Sequence, residues 1–324
     1  MAAAVTGAVA HVGLPKTAST YLQRHYFARL PDIKLLTTTA PFDWPRQLNF
    51  VWPANWFWYD DLALAQPRLS QQQRRQRYAA RTAKYLRRWR RQASAFAARS
   101  PQAQPWLISA EGLCGYAPEV NALHMALLKQ AGVSKVVFVC RQQARYAQSL
   151  WRQFLLAEDR LARYVSFDEL FGAADAQGVV GLDWMPYIQA MDAEFGSTNV
   201  LILPYELLNA DAPDFFRRLN RFLGLPGDAL MPESAVRENP SRTDATYRGL
   251  VFDSRFPLRD LPWLRRRLHG LAARIGPWLP RALRQDQPMQ VSAAALAALQ
   301  ARYGASNAAL ETRLGLDLRR FGYY

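Results

Sequence analysis

An α/β fold, three layers with a central parallel sheet between helices, is predicted by three features of the 324-residue sequence. Apolar, strand-like runs at residues 9–12, 135–140 and 200–203 are each followed by a helical pattern, and strands that alternate with helices pair in parallel through right-handed crossovers. The run at 135–140, Lys-Val-Val-Phe-Val-Cys, is continuous rather than alternating, as a strand covered on both faces requires. The first strand is stopped by Gly13 and Pro15, and residues 17–23 then lead into apolar positions Tyr21, Leu22, Tyr26 and Phe27. That is strand, tight turn, helix, and the open N–H groups and dipole of a helix start favour an anion there.

The remaining elements follow in order. Residues 33–39 are rich in strand formers and read as a second strand. Residues 41–61 crowd Phe42, Trp44, Phe50, Trp52, Trp56, Phe57, Trp58 and Tyr59 among prolines and asparagines with no period, which suits either a lid on the core or a platform for sugar rings. Residues 70–99 have helical apolar spacing at Tyr78, Thr82, Tyr85, Trp89, Ala93 and Phe96, and their other faces are basic without one acid. Like charges at that spacing repel, so the face is either simply solvated or set against an anion. Residues 105–109 form a short buried strand, with a turn expected at Ala110-Glu111-Gly112. Residues 119–130 read as a helix with Val120, Leu123, Leu127 and Leu128 inward, ended by Gly132. The strand at 135–140 ends on Arg141, and the next helix carries Arg145, Ser149 and Arg152. Residues 200–203 run into Tyr205 and a helix, and residues 215–223 form another helix closed by Gly224. Residues 237–242 are a polar loop, 255–284 are basic with an apolar stripe at Leu264, Leu268, Leu271 and Ile275, and 291–314 are helical with a break at Gly304.

Half of the residues are hydrophobic, enough for a full core, and no repeat or low-complexity linker divides the chain. One domain over 1–324 is expected, with an acceptor-side insertion at 40–105 and a basic, helical part at 245–324. Cys114 and Cys140 are too few for a disulfide framework or a zinc site, and no apolar run reaches membrane-span length. With no basic leader segment, a cytoplasmic location is expected, with peripheral contact at the inner membrane face as an option for the basic helices. The net charge of +15 calls for an anionic partner: nucleic acid, a polyanionic nucleotide, an acidic glycan or anionic lipid. Arginine carries nearly all of it; the only lysines are Lys16, Lys34, Lys84, Lys129 and Lys135, so the one in the first loop stands out.

The loop Gly13-Leu14-Pro15-Lys16-Thr17-Ala18-Ser19-Thr20 lacks the second glycine of the G-x-x-x-x-G-K-[ST] nucleotide loop, because Pro15 takes that place. It resembles instead the 5′-phosphosulfate loop of sulfotransferases that use 3′-phosphoadenosine 5′-phosphosulfate (PAPS), here a bacterial, carbohydrate- or glycolipid-type member. Residues 139–151, Val-Cys-Arg-Gln-Gln-Ala-Arg-Tyr-Ala-Gln-Ser-Leu-Trp, resemble that family's second signature, and Tyr205-Glu206-Leu207-Leu208 resembles its strand-Tyr-Glu-x-Leu element. The resemblance implies a P-loop-like fold and no metal. It implies contacts to the 5′ end of the cofactor from Gly13, Pro15, Lys16, Thr17, Ala18, Ser19 and Thr20, to the 3′-phosphate from Arg141 and Ser149, and to the adenine region from Tyr205. An arginine fork grips phosphate oxygens bidentately, and a serine two helical turns on can face the same groove. Lys16 would stabilise the leaving phosphate of the product, 3′-phosphoadenosine 5′-phosphate. Glu111 would serve as base, with Asp60 and Asp61 in reserve.

The function expected is sulfuryl transfer to a hydroxyl or amine of a glycan or glycolipid. A P-loop small-molecule kinase shares the fold and is the first alternative; a basic nucleic-acid- or membrane-binding protein with a vestigial pocket is the second. Paired anion sites give part of the charge a more specific use than nucleic acid. Acceptor identity and oligomeric state are not written in these motifs.

Overall fold

The computed structural model describes residues 7–30, 33–37, 105–111, 113–114, 118–130, 132–156, 167, 182–232, 246–250, 284–288 and 291–324. Five strands form one sheet: β1 (Ala8–Gly13), β2 (Lys34–Thr37), β3 (Trp106–Glu111), β4 (Val133–Cys140) and β5 (Val200–Pro204), in the order β2-β3-β1-β4-β5. Each neighbouring pair is parallel, as the predicted α/β class demands. β1 therefore lies at the centre, and residues 136–140 of β4 are buried throughout.

Helices cover both faces. His11 and Val137 are register partners and so point to one face, while Phe138 points to the other. On the first face His11 packs on Phe27, and Tyr26 stacks on Phe216. These aromatics join the helical segment after β1 to α6 (Ala212–Leu223). That segment begins as α1 (Ser19–Tyr21), widens to a π-turn at Leu22–Tyr26 and tightens to a 3-10 turn at Phe27–Arg29. On the second face Phe138 meets Trp184, which starts α4 (Met185–Phe195); α2 (Pro118–Gln130) packs alongside α4. α3 (Gln143–Leu156) follows β4, α5 (Tyr205–Ala210) follows β5, and α7 (Ala293–Arg302) packs on α3. α8 (Gly304–Leu314) is tied to α4 by Arg313, whose Nε and Nη2 hold both carboxylate oxygens of Asp192 at 3.0 and 2.9 Å.

The helix ends show why these segments stop where they do. Asp211 caps α6 by accepting the Asp214 N–H, Pro213 sits in its first turn, and Gly224 ends it at φ 83°, a left-handed conformation that glycine adopts without penalty. Gly132 plays the same part after α2 at φ 90°.

Two expectations, the turn at 110–112 and the helical character of 245–324, need correction. β3 runs through Ala110 and Glu111, where a turn was expected, because Val12 and Gly13 of β1 supply register partners for both. The buried face of α2 is Asn121, His124, Met125 and Leu128; of the predicted inward set Leu128 conforms, and the side chains of Val120, Leu123 and Leu127 lie outside the described residues. The 245–324 part is not purely helical: β6 (Thr246–Leu250) and β7 (Arg284–Pro288) form an antiparallel ladder. The segment Arg-Gln-Asp-Gln-Pro has no strand former, so pairing rather than propensity makes it a strand. The aromatic loop 41–61, the basic helix 70–99, the polar loop 237–242 and most of the basic stretch 255–284 lie outside the described residues. Among the described residues no helix is long and apolar enough to cross a membrane.

Candidate functional site

The loop from Gly13 to Thr20, Arg141 and Tyr205 lie at the carboxyl ends of β1, β4 and β5, and Glu111 is the last residue of β3, the edge where open parallel sheets place their ligand crevice. β1 delivers the loop. Gly13 is required by close approach: a Cβ there would lie 2.5 Å from Ser19 Oγ and 3.0 Å from His11 Cε1. Thr17 Oγ1 donates to the Leu14 carbonyl at 2.6 Å and Ser19 Oγ to the same oxygen at 3.2 Å, so two of the loop's hydroxyls pull it into a tight arch. Lys16 and Ala18 take φ values of 65° and 62°, a conformation that costs an L-residue about 1–2 kcal/mol. Left-handed residues alternating along a turn gather successive N–H groups into an anion-binding concavity. Lys16 is half-buried, and among the described residues its ammonium has no hydrogen-bond or ion-pair partner. Pro15 is buried in the arch, Thr20 is half-buried, and Leu22 N–H continues the helix from the Ala18 carbonyl at 2.9 Å.

β4 delivers Arg141. Its Nη1 donates to the Lys16 carbonyl at 2.8 Å, and its guanidinium lies over the Tyr205 ring, 4.6 Å from the centroid. Its Nε is buried without a hydrogen-bond partner among the described residues. Lys16, Arg141 and Tyr205, taken from three separate segments, thus form one cluster. Ser149 is on the buried side of α3 at 8% exposure, but among the described residues no hydrogen bond links it to Arg141. Glu111 is the last residue of β3, in register with Gly13; its side chain lies outside the described residues, as do Asp60 and Asp61. Among the described residues no group of His, Cys, Asp and Glu is arranged to hold a metal ion.

Two sets of residues escaped the motif reading. Beneath the loop, His11 Nδ1 is 2.7 Å from Ser109 Oγ, and Gln23 Nε2 donates to that oxygen at 3.0 Å and to the Ser109 carbonyl at 3.2 Å. The Ser109 oxygen can take both hydrogen bonds, and among the described residues the other imidazole nitrogen, His11 Nε2, is buried without a hydrogen-bond partner. Burial lowers the His11 pKa to about 3, so the support under the β1 loop is uncharged. A histidine facing inward from a buried strand was the available signal. The second set, Glu206 and Tyr323, lies behind Arg141.

No protein-family model matches the sequence, and no curated protein matches it. Solved structures similar to it include a sulfotransferase from Alicyclobacillus acidocaldarius, with 16% identity over 72% of this chain and 86% of that one and a TM-score of 0.41. Another is mouse sulfotransferase SULT7A1 complexed with PAP, with 16% identity over 67% of this chain and 59% of that one and a TM-score of 0.38.

Proposed function

We propose that the chain is a PAPS-dependent sulfotransferase acting on a hydroxyl or amine of a carbohydrate or glycolipid. The observation that carries the reading is the bond from Arg141 to the Lys16 carbonyl. It sets an arginine at the end of β4 against the β1 loop, so one ligand with phosphate at both ends of an adenosine can meet both. The residues fit such a group. The loop's left-handed turn and Lys16, whose ammonium has no partner among the described residues, suit the 5′ end, and Arg141 keeps guanidinium donors beyond Nη1 for the 3′-phosphate.

Bound PAPS supplies the sulfuryl group. In this reading the acceptor oxygen bonds to sulfur as the sulfur–oxygen bond to the 5′-phosphate breaks, and the departing electron pair stays on that phosphate oxygen. Lys16 meets the charge growing there, an electrostatic role of the kind that dominates loose, in-line group transfer. The acceptor's proton goes to a carboxylate. Glu111 is proposed for this task because its backbone is level with Gly13 on the neighbouring strand; Asp60 and Asp61 are its alternates. Ser149 is proposed to join Arg141 on the 3′-phosphate. The tryptophan-rich segment and the basic segments are assigned to the acceptor, with contact to an anionic inner membrane face as a further use of their charge.

Transfer of labelled sulfate from PAPS to a panel of glycans, glycolipids and phenols, run in EDTA, tests the proposal. Label on a glycan or glycolipid is the expected result. Labelled phosphate transferred from ATP in a parallel reaction with Mg²⁺ and no EDTA, with no label transferred from PAPS, overturns it.

A further inference from the structure

Behind Arg141 lies a buried polar network that the transfer chemistry does not use. Glu206, 5% exposed, is the second residue of α5. One of its carboxylate oxygens accepts the Gln142 backbone N–H at 3.1 Å and the other accepts the Tyr323 hydroxyl at 3.2 Å. Tyr323 is fully buried and comes from the segment after α8. That segment is held in turn: the Tyr323 carbonyl accepts from Asn307 Nδ2 at 2.9 Å, and the Gly322 carbonyl accepts from Gln142 Nε2 at 3.0 Å.

The carboxylate joins the ends of two strands that carry the two halves of one binding element. Through Gln142 N–H it fixes the residue next to Arg141; through its own place in the chain it fixes Tyr205, on which the Arg141 guanidinium rests. The Arg141 carbonyl is pinned separately by Trp184 Nε1 at 2.8 Å. We propose that Glu206 and Tyr323 are positioning residues for 3′-phosphate recognition: the phenol orients the carboxylate, and the carboxylate holds Arg141 and Tyr205 in the one arrangement that presents the guanidinium to the ligand. Burial raises the pKa of the Tyr323 phenol well above its usual value, so it remains a hydrogen donor. The inference rests on the proposed reading of Arg141.

Calorimetric titration of the wild-type chain, Tyr323→Phe and Glu206→Gln with 3′,5′-bisphosphoadenosine and with adenosine 5′-monophosphate tests it. Both variants keep side-chain volume, and thermal melts report whether each folds; Tyr323→Phe, which loses only a hydroxyl, carries the test if Glu206→Gln does not. The expected result is a wild-type preference for the bisphosphate that falls about tenfold in the variants, the worth of one hydrogen bond to a charged group, while monophosphate affinity is unchanged. A preference kept at the wild-type ratio, or equal loss for both nucleotides, overturns the positioning role. A wild-type chain with no preference overturns the reading of Arg141 itself, before any variant is measured.

Discussion

Acidification exposes the cost of the two buried histidines. His11 and His124 are fully buried and held neutral, with pKa values lowered by burial from 6.5 to about 3 and about 4. In the unfolded chain both return to about 6.5 and bind protons below that pH, while the native state does not, so acid favours unfolding. At pH 5 an unfolded imidazole gains about 2 kcal/mol from protonation (RT times the logarithm of about 33), and the native chain gains almost nothing. The two together remove about 4 kcal/mol between pH 8 and pH 5, a large part of the roughly 5–15 kcal/mol that holds a domain together. The loss sets in as pH falls through about 6.5 and levels off below the two native values. Urea titrations from pH 8 to pH 5 on the wild-type chain, His11→Asn and His124→Asn measure it. Asparagine does not titrate and can mimic Nδ1, which reaches Ser109 in one case and the Leu113 carbonyl at 3.1 Å in the other. Each variant should lose about half of the histidine-linked acid slope, and an unchanged slope in both would refute the claim that these imidazoles are buried neutral.

Two further substitutions probe the loop. Gly13→Ala should destabilise the fold by about 1–3 kcal/mol through overpacking against Ser19 and His11, and abolish nucleotide binding; a melt and a titration at wild-type values would show that the close approach is unimportant. Lys16→Arg keeps the charge but replaces a compact ammonium with a wide fork. Binding of 3′,5′-bisphosphoadenosine should partly survive while sulfate transfer falls sharply, and wild-type turnover in that variant would remove Lys16 from the leaving-group role.

The fold was legible where burial and periodicity agree. A continuous apolar run such as Val136–Cys140 has few homes other than the inside of a parallel sheet, and the glycine and proline around Lys16 mark a turn that no regular element can cross. The positions of the β1 loop and of Arg141 at strand ends were legible because each follows such a run. What escaped depends on contacts far apart in sequence. The extension of β3 through Glu111 comes from register with β1, and β7 is a strand only because β6 pairs with it. Tyr323 reaches Glu206 across 117 positions, and no local pattern around either residue announces that meeting. His11 lies on β1, and its neutrality follows from burial that only the assembled fold creates.

The central claim, one adenosine carrying phosphate at both ends and bridging the Lys16 loop and Arg141, is tested most directly by calorimetric titration of the wild-type chain with 3′,5′-bisphosphoadenosine in EDTA, compared with ATP–Mg²⁺. The account predicts that the bisphosphate binds without metal and binds more tightly than ATP–Mg²⁺. Tighter binding of ATP–Mg²⁺ would contradict it.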